Sequence, residues 1–266
     1  MSLSLLIYLL VLLIPPTSQA ATCYAKPGTN AACFTVKSHD SNRGEPLPAY
    51  IENCEQKTII SSCDNAQICY TDAQGKIHCS SCDKGQCLTQ LDEAPSAYSF
   101  SQLLAMIYTP SPSSSLGLKR LSDAETLPGF PEGEIAVISE SLQFPLARKY
   151  QKKLTTFEIS TATGQAIYSA ENIDGLVNLP TDRLDPGKLY EWKATIGKKR
   201  YRGKFKTLPQ ADQRDFLQDL ADLQQGSSND AYARALQEAA VALDWGLAFN
   251  KQQAIEKARQ LQQGEK

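Results

Sequence analysis

The chain has 266 residues, with 27 Lys and Arg against 29 Asp and Glu, a net charge of −2, and 42% hydrophobic residues. That composition is typical of a folded protein, and it lacks the basic excess of a dedicated nucleic-acid binder. With only two histidines, His39 and His78, mechanisms that need an imidazole base have few places to act.

The first stretch, "MSLSLLIYLLVLLIPPTSQA", has an apolar run from Leu5 to Ile14 that is broken by Pro15 and Pro16 and followed by small residues. A membrane-spanning helix needs about 20 apolar residues, and this run is shorter. Residues 1–20 are therefore expected to be a signal peptide cleaved after Ala20, leaving no transmembrane segment and a secreted or periplasmic protein. Thr22 and Ala20 do not fit a lipoprotein signal ahead of Cys23, so lipidation is not expected. None of the eight asparagines begins an Asn-x-Ser/Thr acceptor, which agrees with a bacterial envelope.

Residues 21–95 hold all eight cysteines: Cys23, Cys33, Cys54, Cys63, Cys69, Cys79, Cys82 and Cys87. An even, clustered set behind an export signal predicts a disulfide-stapled module. The segment is poor in Leu, Ile, Val and Phe, so covalent bridges must supplement a small core. "CYTDAQGKIHC" reads as a hairpin turning at Gly75, which places Cys69 near Cys79. The sequence leaves the remaining pairing open.

Two other uses of these thiols are less consistent with the residues. A thiol-disulfide oxidoreductase using Cys79 and Cys82 needs a helix N-terminus to stabilise its thiolate, whereas the flanks here read as strand end and turn. Zinc held by His78, Cys79, Cys82 and Cys87 would compete with oxidation on export. A protease-inhibitor-like module in residues 21–95 is a further alternative. No metal or cofactor is expected.

Residues 96–130 read as a linker in which "FSQLLAMIY" forms a short helix ended by Pro110. From Glu134 the pattern changes to short β-type runs punctuated by Gly164, Asp174-Gly175, Pro186-Gly187 and Gly197. In one of them Tyr190, Trp192, Ala194 and Ile196 alternate with Glu191, Lys193 and Thr195, giving one core face and one wet face. Within it, "LDPGKLYEW" resembles the Leu-x-Pro-Gly-x-x-Tyr signature of fibronectin type III-like sandwiches. The resemblance covers residues 131–208. It implies an all-β immunoglobulin/fibronectin-like sandwich in which the hydroxyl of Tyr190 bonds back to the turn containing Leu184 and Pro186. No tryptophan stands in an early strand, so Phe157 must fill that part of the core. The arrangement is also similar to extracytoplasmic bacterial proteins that place such a sandwich before a helical tail.

The tail, residues 209–266, changes to helical period. Phe216, Leu217, Leu220 and Leu223 form a stripe ended by Gly226; Tyr232, Leu236, Ala239, Leu243 and Leu247 form a second, capped by Asn229 or Asp230. Ile255, Ala258 and Leu261 follow Asn250 in a third. The last two runs resemble a single tetratricopeptide-like hairpin, with Gly246 and Ala254 as close-packing points.

Chemistry points away from catalysis: no nucleophile elbow, phosphate loop or zinc-protease helix is written in the chain, and the paired acids Asp92 and Glu93 stand at a module edge. The most pointed feature is "GKKRYRGKFK" at 197–206. With Tyr201, Gly203 and Phe205 turned inward, Arg200, Arg202, Lys204 and Lys206 line the outer face, and Lys198 and Lys199 occupy the turn. Residues 131–208 carry 13 basic and nine acidic side chains, so an anionic partner is expected to meet this segment. A protective edge that stops strand pairing would look the same. The expected protein is an exported, non-enzymatic binding or scaffold protein whose partner is a protein or an anionic envelope polymer, with no nucleic acid involved.

Overall fold

The structure, a computed structural model, describes residues 21–38, 44–54, 57–88, 98–108, 127, 129–145, 154–173 and 176–264. The signal segment, His39, Asp92, Glu93 and the linker from 109 to 126 lie outside the described residues. The chain divides into two compact units, Met1–Leu104 and Ala105–Lys266, and the helix α1 (Phe100–Tyr108) crosses the division. β-sheets, helices and four disulfides make this a mixed multidomain chain.

In the first unit, β1 (Thr22–Ala25), β4 (Tyr50–Glu52), β6 (Ala66–Thr71) and β7 (Ile77–Cys82) form one antiparallel sheet in the order β4-β1-β6-β7. A second sheet runs β3-β2-β5-β8, from β2 (Phe34–Ser38), β3 (Glu45–Pro46), β5 (Lys57–Ser61) and β8 (Gly85–Leu88). Phe34, Val36 and Ile59 of the second sheet pack with Ala25, Ala66 and Ile68 of the first in one core. The Cys-rich segment thus has two sheets and an apolar interior as well as its bridges.

All eight cysteines pair, as Cys23–Cys54, Cys33–Cys63, Cys69–Cys79 and Cys82–Cys87. Cys69 and Cys79 stand directly opposite each other across the β6–β7 hairpin, their Cα atoms 4.0 Å apart. Gly75 takes φ +81° in its turn, a value that favours glycine. Cys82–Cys87 connects β7 to β8 and so joins the two sheets. Loop-closure entropy ranks the bridges: a separation of 31 residues (Cys23–Cys54) against 5 (Cys82–Cys87) corresponds to about 3.5 against about 2 kcal/mol. Cys23→Ser/Cys54→Ser should therefore lower the urea midpoint of the first unit more than Cys82→Ser/Cys87→Ser. Equal or reversed midpoint changes would contradict this ranking.

The second unit is built on two sheets. The larger has the order β12-β11-β14-β15-β9, from β9 (Gly133–Ile135), β11 (Leu154–Thr161), β12 (Ala166–Ile173), β14 (Leu189–Ile196) and β15 (Lys199–Thr207). All its pairs are antiparallel except β15–β9. The smaller pairs β10 (Ser141–Pro145) with β13 (Leu176–Pro180). Between them lies a core of Leu142, Phe144, Val177 and Leu179 against Phe157, Ile159, Trp192 and Phe205. Phe157 is fully buried, as the sequence requires, but the central aromatic is Trp192, whose Nε1 donates to the Pro131 carbonyl at 2.9 Å. Gly203, opposite Trp192, leaves the space in which the indole lies.

Three helices complete the unit: α2 (Gln210–Gln224), α3 (Ala231–Asp244) and α4 (Ala248–Gln262). α3 begins at Asp230, whose carboxylate accepts from the Ala233 N–H at 2.7 Å. Its alanines, Ala233, Ala235, Ala239, Ala240 and Ala242, are buried and allow close approach by α4, which offers Ala254 and Ala258. Gly246 ends α3 with φ +69°, its N–H bonded to Leu243, while the Leu247 N–H reaches Ala242. Its role is chain reversal and not close packing, since nothing lies near its missing Cβ. α4 packs on β9, and Phe249 enters the sandwich core beside Phe144.

Asn250, which precedes the third apolar run in the sequence, is inside α4 and buried. Its Nδ2 donates to the Ala136 carbonyl at 2.8 Å and its Oδ1 accepts from the Ala136 N–H at 2.9 Å. Gln213 of α2 does the same one residue further on, bonding both backbone groups of Val137 at 2.8 Å. Two side-chain amides thus continue the hydrogen bonding of β9 where the strand ends.

Candidate functional site

Tyr190 fixes the base of the β14–β15 hairpin. Its hydroxyl accepts from the Asp185 N–H at 2.7 Å, closing the turn between Leu184 and Pro186 as the resemblance implies. Thr207 Oγ1 donates to the Asp185 carbonyl at 2.7 Å and braces the same turn. Burial holds the Tyr190 hydroxyl above its ordinary pKa, so it stays protonated through the physiological range. The hairpin then runs in unbroken register from Leu189↔Lys206 to Ile196↔Lys199.

At its tip the loop is Gly197-Lys198, with Gly197 at φ +62° supplying the positive φ that a two-residue hairpin needs. Lys199 is therefore the first residue of β15 and falls on the Tyr201 side, whereas the sequence places it in the turn. Tyr201 and Phe205 are buried, and Arg200, Arg202, Lys204 and Lys206 alternate with them on the outer face.

These cations are not equivalent. Lys204 is ion-paired to Glu191, directly opposite it, and Lys206 to Glu134 of β9 at 2.9 Å. The Glu191 carboxyl is held below the usual carboxylate range by the hydrogen bond from Lys204, with added attraction from Lys193 and Arg202. Among the described residues, no carboxylate stands within ion-pair distance of Lys198, Arg200 or Arg202. Lys193 joins them on this face, opposite Arg202, and reaches Glu158 only at 3.9 Å. The sequence puts Lys193 on the wet face, but it was not among the expected binding cations. The signal was its place two residues after Glu191, on the wet side of the alternation.

The other sequence candidates have different surroundings. Cys79 and Cys82 are bonded to Cys69 and Cys87, so neither sulfur pairs with the other or is available as a zinc-binding thiolate. His78 stacks on Tyr70 and contacts Asp72 at 2.8 Å, while Asp72 also accepts from the Gln74 and Lys76 N–H groups. That arrangement organises the hairpin turn. An apolar recess of about 190 Å³ lies between the tyrosine turn and α2, lined by Val137, Leu184, Pro186, Leu208 and Leu217. On α3, burial raises the Glu238 carboxyl pKa, opposed by Lys257 at 3.7 Å. No helix of the described residues is long and apolar enough to cross a membrane.

No family model matches the chain, and no curated protein matches it. Among solved structures, it is similar to the BSP domain of a biofilm-associated protein at 8% identity and TM-score 0.23, over 73% of this chain and 26% of that one. It is similar to the FN1-FN3 domains of chicken CNTN1 at 10% identity and TM-score 0.21, over 73% of this chain and 63% of that one. A beta-1,2-glucanase from Parabacteroides distasonis gives 12% identity and TM-score 0.23, over 91% of this chain and 38% of that one. The chain spans less than two thirds of each of these, and overlaps this weak assign it neither a fold nor an activity.

Proposed function

We propose that this is an exported, non-enzymatic binding or scaffold protein of the cell envelope or extracellular space, and that its second unit is an immunoglobulin/fibronectin-like sandwich presenting a cationic face to a partner. Four disulfides that use every cysteine support an oxidising compartment. The Tyr190–Asp185 bond and the two-sheet core support the sandwich reading. The observation that carries the binding role is the split of the outer face, where Lys204 and Lys206 are neutralised while Arg200 and Arg202 are not. A purely protective edge needs charge, but it has no need to hold two guanidinium groups open.

The test is capture from the native host by the intact protein and by Arg200→Ser/Arg202→Ser/Lys204→Ser/Lys206→Ser. Partner recovery should fall at least about fivefold for the variant, as expected when phosphate-type or carboxylate contacts supply much of the affinity. Recovery of the same partner in equal yield would remove this face from the function.

A further inference from the structure

We infer that the open end of this face seats a linear polyanion of the phosphodiester type, lying along β15 over Arg200 and Arg202 with Lys193 beside it. This rests on the reading of the outer face as the binding surface.

Three features lead to it. Lys193 and Arg202 are cross-strand partners, which places two like charges side by side, and the carboxylate that attracts both, Glu191, is already hydrogen-bonded to Lys204. The Glu158 carboxylate is at the 3.9 Å limit from Lys193 and lies two strands from Arg202, about 10 Å across the sheet. Glu171, in the same cross-strand row as Arg200, is three strands away, about 14 Å, beyond the screening length of about 8 Å at physiological salt.

Spacing is the second feature. Arg200 and Arg202 are two residues apart on one strand, which sets their side chains about 7 Å from each other in a straight row. The next positions in the row, Lys204 and Lys206, already hold Glu191 and Glu134. The row therefore offers two unneutralised guanidinium groups followed by a self-neutralised stretch, suiting successive anionic groups of a polymer. Each planar guanidinium can take two oxygens of a phosphate at once.

The third feature favours a thread over a lipid surface. Glu158 and Glu191 share the face with the cations, on the neighbouring strands β11 and β14. A flat anionic bilayer would be pressed onto both carboxylates, whereas a chain running along β15 passes to one side of them.

Full-length protein should be titrated with long poly(glycerol phosphate), with monomeric glycerol phosphate at equal phosphate, and with phosphatidylglycerol vesicles. The polymer should bind at least about tenfold more tightly than the monomer, and its affinity should fall steeply as salt rises. Arg200→Ser/Arg202→Ser should weaken polymer binding about tenfold or more, and Lys204→Ser/Lys206→Ser no more than about twofold. Lys193→Thr, which relieves the like-charge pair and leaves the core untouched, should weaken binding about threefold without lowering the melting temperature. Equal affinity for monomer and polymer, preference for vesicles, or indifference to Arg200→Ser/Arg202→Ser would each overturn the inference. If the polymer arms fail while native-host capture still depends on the four cations, only the polymer is wrong; if both fail, the binding-face reading falls too.

Discussion

Gly203→Val should abolish stable folding of the second unit, and Gly203→Ala should destabilise it by about 3 kcal/mol, the upper range for forcing atoms into a filled core. A Cβ at this position would lie 2.5 Å from Cζ2, 2.6 Å from Cε2 and 2.7 Å from Nε1 of Trp192. The indole cannot easily give way. It is fully buried, tied to the Pro131 carbonyl, and in contact with Phe130, whose ring centre is 4.9 Å away. Urea unfolding followed by tryptophan fluorescence measures the cost, and a double-mutant cycle assigns it. In a Trp192→Phe background the smaller ring leaves room, so Gly203→Ala should cost at least about 1 kcal/mol less there. A Gly203→Ala protein within about 0.5 kcal/mol of the parent, an ordinary surface effect, would show that the ring is not the constraint.

Asn250→Ala should cost about 3 kcal/mol and uncouple α4 from the sandwich. The substitution removes both partners of Ala136, leaving a buried N–H and a buried carbonyl unsatisfied, each worth about 1 to 3 kcal/mol. Gln213→Ala removes the equivalent pair from Val137, which is only partly buried, so water can replace the amide and the expected loss is nearer about 1 kcal/mol. Hydrogen exchange separates the local from the global effect: the Ala136 amide should lose protection in Asn250→Ala, and the Val137 amide in Gln213→Ala. Unchanged protection at Ala136 would mean that the amide pair does not hold the strand end.

Legibility followed how local each determinant is. The tyrosine turn was readable because Leu184, Pro186, Gly187 and Tyr190 lie within seven residues and act on one another. The Cys69–Cys79 bridge was readable because Gly75 fixes the hairpin between them. The other three bridges were not, the short Cys82–Cys87 included, since eight cysteines allow roughly a hundred connectivities, and the choice is made by sheets that also bring Phe34, Ile59 and Ile68 together. The role of Asn250 was not legible for a related reason: nothing local marks it, because its partner is 114 positions away in sequence. On the binding face, the residue types were visible in "GKKRYRGKFK", but which cations remain open depends on register, which sets Glu191 against Lys204 and Lys193 against Arg202.

The first two bridges cross, Cys23–Cys54 enclosing Cys33 and Cys33–Cys63 enclosing Cys54. Under tension the covalent route from Cys23 to Cys63 is nine residues by way of Cys54 or ten by way of Cys33, so cutting either bridge alone lengthens it by at most one residue. Only when both are cut does the full span of 40 residues pay out, releasing about 100 Å of slack at roughly 3.5 Å per residue. The crossed pair makes this segment fail-safe against stretching: a single reduction event leaves its mechanical length almost unchanged.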